Sequence, residues 1–168
     1  MLIGVMSDSH DSMAMLAKAV RVFNENNLRY VLHAGDYTSG STFRALEDLK
    51  AEFIGIFGNN DGEILPPVNV GPLLLNNKPH SRIYRQPHEF TIDNKKFVMV
   101  HEHYLVDSIA KSGRYDVLIY GHTHKVAAGA NGSTYVLNPG ELCGLLHGIA
   151  TVAILDTLLM EARIIGLD

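Results

Sequence analysis

The 168-residue chain has a single cysteine, Cys143. One thiol cannot close an internal disulfide, and no cysteine pair is spaced for a zinc ribbon or a redox motif. Cys143 itself reads as a small buried apolar residue. No apolar run is long enough to span a bilayer. The opening stretch MLIGVMSD reaches Asp8 too soon to be a secretory signal. A cytoplasmic protein without a membrane partner is therefore expected. Positive charge is also scarce: 14 Lys and Arg stand against 18 Asp and Glu, a formal net charge of -4. Such a chain has no broad basic face, so no stable nucleic-acid complex is expected. A phosphodiester or nucleotide-like small molecule remains open as partner, because a bound metal supplies local positive charge. Charged residues are only 19% and apolar ones 46%, which argues for a folded core rather than disorder. The length suits one domain, residues 1–168.

What the chain does have is histidine. There are nine, and several stand in close pairs beside Asp, Asn or Gly. Their setting follows from the hydrophobic pattern. The run at 2–6 reads as a buried strand, 12–26 as a helix that Asp11 or Ser12 caps, and 30–33 as a second strand. A helix over 41–49 and a strand over 53–57 complete a β-α-β-α-β start, which implies a parallel sheet with helices on its faces. Residues 62–80 hold Pro66, Pro67, Pro72 and Pro79 without periodicity and read as loop. Hairpins are expected at 89–93 with 96–101 around Asn94-Lys95, at 126–130 with 134–137 around Asn131-Gly132-Ser133, and at 149–155 with 159–165 around Asp156-Thr157. A short helix over 105–111 and a strand over 116–120 lie between the first two.

Five polar motifs follow expected strands, where α/β sheets build their sites. Asp8-Ser9-His10 offers a carboxylate and an imidazole to one cation, although Asp8 alone also suits a helix cap. Gly35-Asp36 reads equally as a tight turn with a capping carboxylate. Gly58-Asn59-Asn60-Asp61 is a turn by composition, in which Asn59 can present an uncharged carbonyl oxygen to a metal. His101-Glu102-His103 and Gly121-His122-Thr123-His124 are harder to explain by packing, because each imidazole has two ring nitrogens to satisfy. Imidazole with carboxylate suits Mn, Fe, Zn or Ni, and seven donors are too many for one tetrahedral ion with an open position. Two ions about 3.5–4 Å apart, sharing a carboxylate, fit better.

In this order the motifs, from Leu2 to about Gly144, resemble the calcineurin-like metallophosphoesterase superfamily. Within it the chain looks like the small bacterial and archaeal phosphodiesterases, and it is also similar to the retromer scaffold subunit. The resemblance implies a four-layer αββα sandwich of two mixed sheets. It also implies two divalent ions, Mn ahead of Ni, Fe or Zn. Asp8, His10, Asp36 and His124 would bind one, with Asp36 bridging; Asn59, His101 and His122 would complete the other. Two positions depart from the pattern. Asn60 stands where many members carry a His that protonates the leaving oxygen, and Glu102 stands where Gly is usual. Asn59, Asn60 and His103 are the candidate substrate contacts, and Asn60 and His103 the candidate catalytic groups. For His103 a proton donor, a phosphate contact and a bystander all stay open. The implied reaction is in-line attack by a bridging hydroxide, at a centre left net positive once two ions outweigh two carboxylates. The alternative is a metal-binding interaction scaffold without useful catalysis; a nuclease fits the chemistry but lacks a basic channel. A homo-oligomer is expected, with 62–80 or the C-terminal hairpin as its surface. His33 reads as a core residue or one that orients a ligand, Asn138-Pro139-Gly140 reads as a turn, and His80, His88 and His147 receive no role.

Overall fold

The computed structural model describes residues 1–62 and 82–167. The apolar run at the start forms β1 (Leu2–Met6). Its alternation sorts the whole fold, because successive strand residues face opposite sides. Ile3 and Val5 point into the space between two sheets, whereas Met6 points outward against a helix. The chain continues through α1 (Met13–Glu25), β2 (Tyr30–His33), α2 (Thr42–Ala45), β3 (Glu52–Ile56) and β4 (Arg82–Tyr84). There follow β5 (His88–Ile92), β6 (Lys95–Met99), a single 3-10 turn (His103–Leu105) and α3 (Val106–Lys111). The last elements are β7 (Val117–Ile119), β8 (Val126–Asn131), β9 (Thr134–Pro139), β10 (Thr151–Asp156) and β11 (Glu161–Gly166).

The strands make a six-stranded sheet, β11-β10-β1-β2-β3-β4, and a five-stranded sheet, β5-β6-β7-β9-β8. Both are mixed: β1 to β4 run parallel, β10 runs against β1 and β11 turns back against β10, and β6, β7 and β9 are parallel between antiparallel edges. Ile3, Val5, Leu32, Phe97, Met99, Val117 and Ile119 pack between the sheets. Burying one aromatic side chain such as Phe97 contributes roughly 2–3 kcal/mol. Leu16, Val20 and Phe23 of α1 cover the outer face of the first sheet, and Val106 and Ile109 of α3 cover Val98, Val100 and Leu118 of the second. The result is the expected αββα sandwich. In register, Met6 pairs with His33 and His33 with Gly55, while Met99 pairs with Ile119 and Ile119 with Leu137. Parallel strands that end level deliver their following loops to one edge.

Several local expectations shift. The helix expected over 41–49 is α-helical only at Thr42–Ala45 and continues as i+3 turns through Leu46, Glu47 and Leu49. Asn24 explains the stop: it donates to Asp48 O at 2.9 Å and accepts Lys50 N at 2.9 Å. Neither Asp11 nor Ser12 caps α1; the Asp11 carboxylate instead accepts Ser39, Ser41 and Thr42 hydroxyls at 2.7, 2.9 and 3.0 Å. The first hairpin turns at Asp93-Asn94, one residue earlier than expected, with φ of 53° and 59°. Short polar side chains tolerate that left-handed geometry better than Lys95 does. The last hairpin turns later, through 157–160, because the Asp156 carboxylate accepts Leu158 and Leu159 N–H groups at 2.8 and 3.3 Å. Strand β4 was not foreseen. The loop expected over 62–80 and His80 lie almost wholly outside the described residues. No helix among those described is long and apolar enough to cross a membrane.

Candidate metal centre

Asp8, Asp36 and Asn59 follow β1, β2 and β3, while His101 and His122 follow β6 and β7. The sheets therefore bring all five motifs to one edge of the sandwich. The backbone there is unusual. Asp8, His10, Asp36, His122 and His124 all have positive φ, at 53°, 41°, 62°, 66° and 59°. Each such residue costs roughly 1–3 kcal/mol and persists only where its surroundings enforce it. Asp61 does part of that enforcing. Its buried carboxylate accepts the N–H groups of Asp36 (2.9 Å), Tyr37 (2.7 Å), Thr38 (2.8 Å) and Gly58 (2.7 Å). The turn after β2 is thereby tied to the turn after β3. Close approach matters as well: a Cβ on Gly58 would strike the Asp36 carboxylate, and one on Gly121 would strike Ser7 and Asp8.

The side chains converge on two buried carboxylates. Asp36 Oδ2 lies 3.6 Å from His10 Nε2 and 3.4 Å from His101 Nε2, so one oxygen is shared by imidazoles from two loops. His124 Nε2 lies 3.4 Å from Asp8 Oδ1, and both Asp8 oxygens accept the His122 N–H at 3.1–3.2 Å. On the other flank, Asn59 Oδ1 sits 2.9 Å from both His101 Nε2 and His122 Nδ1. The cap readings of Asp8 and Asp36 fail: α1 and α2 have no side-chain cap, and both carboxylates face the cluster.

Ring protons show what the cluster is suited to bind. His101 Nδ1 is 2.7 Å from the Ala34 carbonyl, an acceptor only, so Nδ1 carries the proton. Its Nε2 lone pair then faces Asp36 and Asn59 oxygens, which are acceptors too. His124 repeats the pattern, with Nδ1 donating to Glu141 Oε2 at 2.8 Å and Nε2 aimed at Asp8. Acceptors facing acceptors need a proton or a cation between them. The local electrostatics run the same way. Burial pushes the His101 pKa down, but Asp36 and Asp8 overcome it and raise it. Burial pushes the Asp36 carboxyl up, yet His101 and the two Asn60 donors win and hold it well below the usual carboxylate range. Burial dominates at Asp8 and raises its carboxyl.

Residues 1–158 match the calcineurin-like phosphoesterase superfamily domain. The chain belongs to that superfamily. It is 39% identical to a phosphodiesterase of Methanocaldococcus jannaschii over 170 residues, covering all of both chains. A phosphodiesterase of Escherichia coli K12 is 23% identical over 81% of this chain and 76% of its own. Among solved structures, an archaeal phosphodiesterase superposes with a TM-score of 0.86 at 38% identity, covering 99% of this chain and all of the other. Zinc-bound Vps29 of Entamoeba histolytica gives 0.69 at 20% identity over the full length of both, a likeness of fold alone.

Metallophosphoesterase membership implies divalent metal ions. The donor set of this phosphoesterase suits them: Asp8, Asp36 and His101 form one group with ligand atoms within 4.8 Å of one another, and His10, His124 and Cys143 form a second. Sequence reasoning did not place the thiol beside these ligands. Cys143 is buried, as expected, but its Sγ lies 3.4 Å from Glu141 Oε2 at the rim of the cluster. Burial pushes its pKa up to about 11, which keeps it a thiol. Glu141 was missed as well. It is fully buried, orients His124, and accepts Leu146 and His147 N–H groups. Its position directly after Asn138-Pro139-Gly140 was the available signal. Asn138 itself donates to Gly121 O at 2.9 Å and to Thr123 Oγ1 at 3.1 Å, which braces the His122–His124 loop.

The remaining candidates fall around this phosphoesterase cluster. Asn60 donates to Asp36 twice, from its backbone N at 2.9 Å and from Nδ2 at 2.7 Å. His103 is exposed and stacks on His122, with centroids 5.6 Å apart and planes 17° apart. His33 is buried and neutral, its pKa lowered to about 3 mainly by burial. It accepts Gly35 N–H at Nδ1 and donates from Nε2 to Ser9 at 3.1 Å, so it fastens the Asp8 loop to the Asp36 loop. His88 stacks on Tyr84, and His147 gives its backbone N–H to Glu141.

Proposed function

We propose that the chain is a phosphodiesterase working through two divalent ions, with Mn ahead of Ni, Fe and Zn. Asp8, His10 and His124 would hold one ion, Asn59, His101 and His122 the other, and Asp36 would be shared. One observation carries this reading: Asp36 Oδ2 is faced by His10 from one donor group and His101 from the other, at 3.6 and 3.4 Å. When bound, the ions supply Lewis acidity and a water acidic enough to be a nucleophile at neutral pH.

The chain's own residues do the positioning. Ala34 O and Glu141 hold the protons of His101 and His124 on Nδ1, which leaves each Nε2 as a neutral donor of its lone pair. Asn60 and His103 stand at the exposed rim, where they can hydrogen-bond a phosphoryl oxygen. An amide cannot give up a proton, so Asn60 stabilises charge without serving as a general acid. The enzyme should therefore favour phosphodiesters with acidic leaving groups. We place it in the cytoplasm. The scaffold alternative would use the same metal ligands, and the full-length 39% identity to a phosphodiesterase supports the enzyme over it. The test is hydrolysis of bis-p-nitrophenyl phosphate by stripped protein reloaded with each metal, beside Asp36→Asn. Metal-dependent turnover lost in the variant is expected. Folded protein that binds two ions but turns over nothing would instead favour the scaffold.

A further inference from the structure

The rim of the site carries an aromatic wall whose outermost member, Tyr104, neither the metal cluster nor the fold uses. Tyr104 stands in the 3-10 turn directly after His103, with 70% of its surface exposed, and Leu105 beside it is 52% exposed. The Tyr104 ring lies 4.5 Å from His103 and 6.0 Å from His122, and His103 lies nearly parallel to His122. The described residues offer the Tyr104 hydroxyl no hydrogen-bond partner. An exposed aromatic face next to a phosphate centre suits a planar group attached to that phosphate. The wall is continuous with the centre through His122, whose Nδ1 meets Asn59 at 2.9 Å.

Resting on the phosphodiesterase reading above, we propose that Tyr104, packed against His103, is a stacking subsite for the planar base of a nucleotide-like diester. Tyr104 then determines specificity and takes no part in the chemistry. The phosphoryl group would sit over the carboxylate and imidazole cluster, and the base would lie against the Tyr104 ring. Stacking of one base on one aromatic face is worth roughly 5- to 150-fold in affinity.

Calorimetric titration of the Mn²⁺-loaded protein with adenosine 5′-monophosphate and with ribose 5-phosphate isolates the base. The wild type should bind the nucleotide at least about 5-fold more tightly. That ratio should collapse toward one in Tyr104→Ala and persist in Tyr104→Phe, which keeps the ring. A wild-type ratio near one, or an unchanged ratio in Tyr104→Ala, overturns the subsite. Because the readout is binding, it is independent of turnover: loss of hydrolysis with every metal would strike the phosphodiesterase reading, whereas an absent ratio strikes the subsite alone.

Discussion

Asp61→Ala tests whether one buried carboxylate holds the two central turns together. Asp61 accepts four backbone N–H groups, and those of Asp36 and Tyr37 are fully buried. Truncation leaves these two donors unsatisfied at roughly 1–3 kcal/mol each. The partly buried Thr38 and Gly58 donors add less, because water can reach them. Removing the carboxylate also recovers some stability, since burial raises its pKa and penalises its charge. The net loss should be about 3–4 kcal/mol, a large share of a domain's stability. At roughly 2–4 °C per kcal/mol for a chain of this size, the midpoint should fall by about 6–15 °C. Melts must be recorded without metal, because ligand binding would raise the wild type alone. Asp61→Asn keeps the shape and part of the acceptor capacity, so it should fall between wild type and Ala. A midpoint for Asp61→Ala within about 2 °C of wild type would refute the reasoning.

Asn60→His should speed hydrolysis of diesters with poor leaving groups by about 10-fold or more and change good leaving groups little, since it supplies the missing acid. Leaving-group plots for both proteins would show it; an equal effect at both ends would mean that Asn60 acts on the phosphoryl group alone. Glu141 gives a pH signature in the metal-free protein. Burial raises its pKa, but His124 and the N–H groups of His147 and Leu146 outweigh that and bring it down to about 2. A depressed acid stabilises the fold above its unfolded pKa of about 4.3 and loses that contribution as pH falls toward the folded value. The stability gap between wild type and Glu141→Gln should therefore shrink between about pH 4.5 and 2; a gap flat across that window would contradict the assignment.

The layers were legible because β1, β2, β3, β6 and β7 are short apolar runs ending at a polar motif, and that ending also revealed the seven candidate ligands. Residues whose role depends on distant backbone were not legible. Asp61 looks like any turn Asp until the Asp36 loop folds onto it. Glu141 stands 17 residues from His124 in sequence, with nothing local to pair them. Strand β4 has only three residues, too few for an alternation to register, and it exists because β3 offers an edge. The length of α2 was misjudged because its pattern is helical while Asn24, on another helix, takes the backbone of Asp48 and Lys50.

Metal titration of stripped protein by calorimetry, with bound metal counted after gel filtration, decides whether two ions share Asp36. Two ions per wild-type chain are predicted, with one lost in His124→Ala, the other lost in His122→Ala, and both weakened in Asp36→Asn. A single ion per wild-type chain, or undiminished binding of two by Asp36→Asn, would contradict the account.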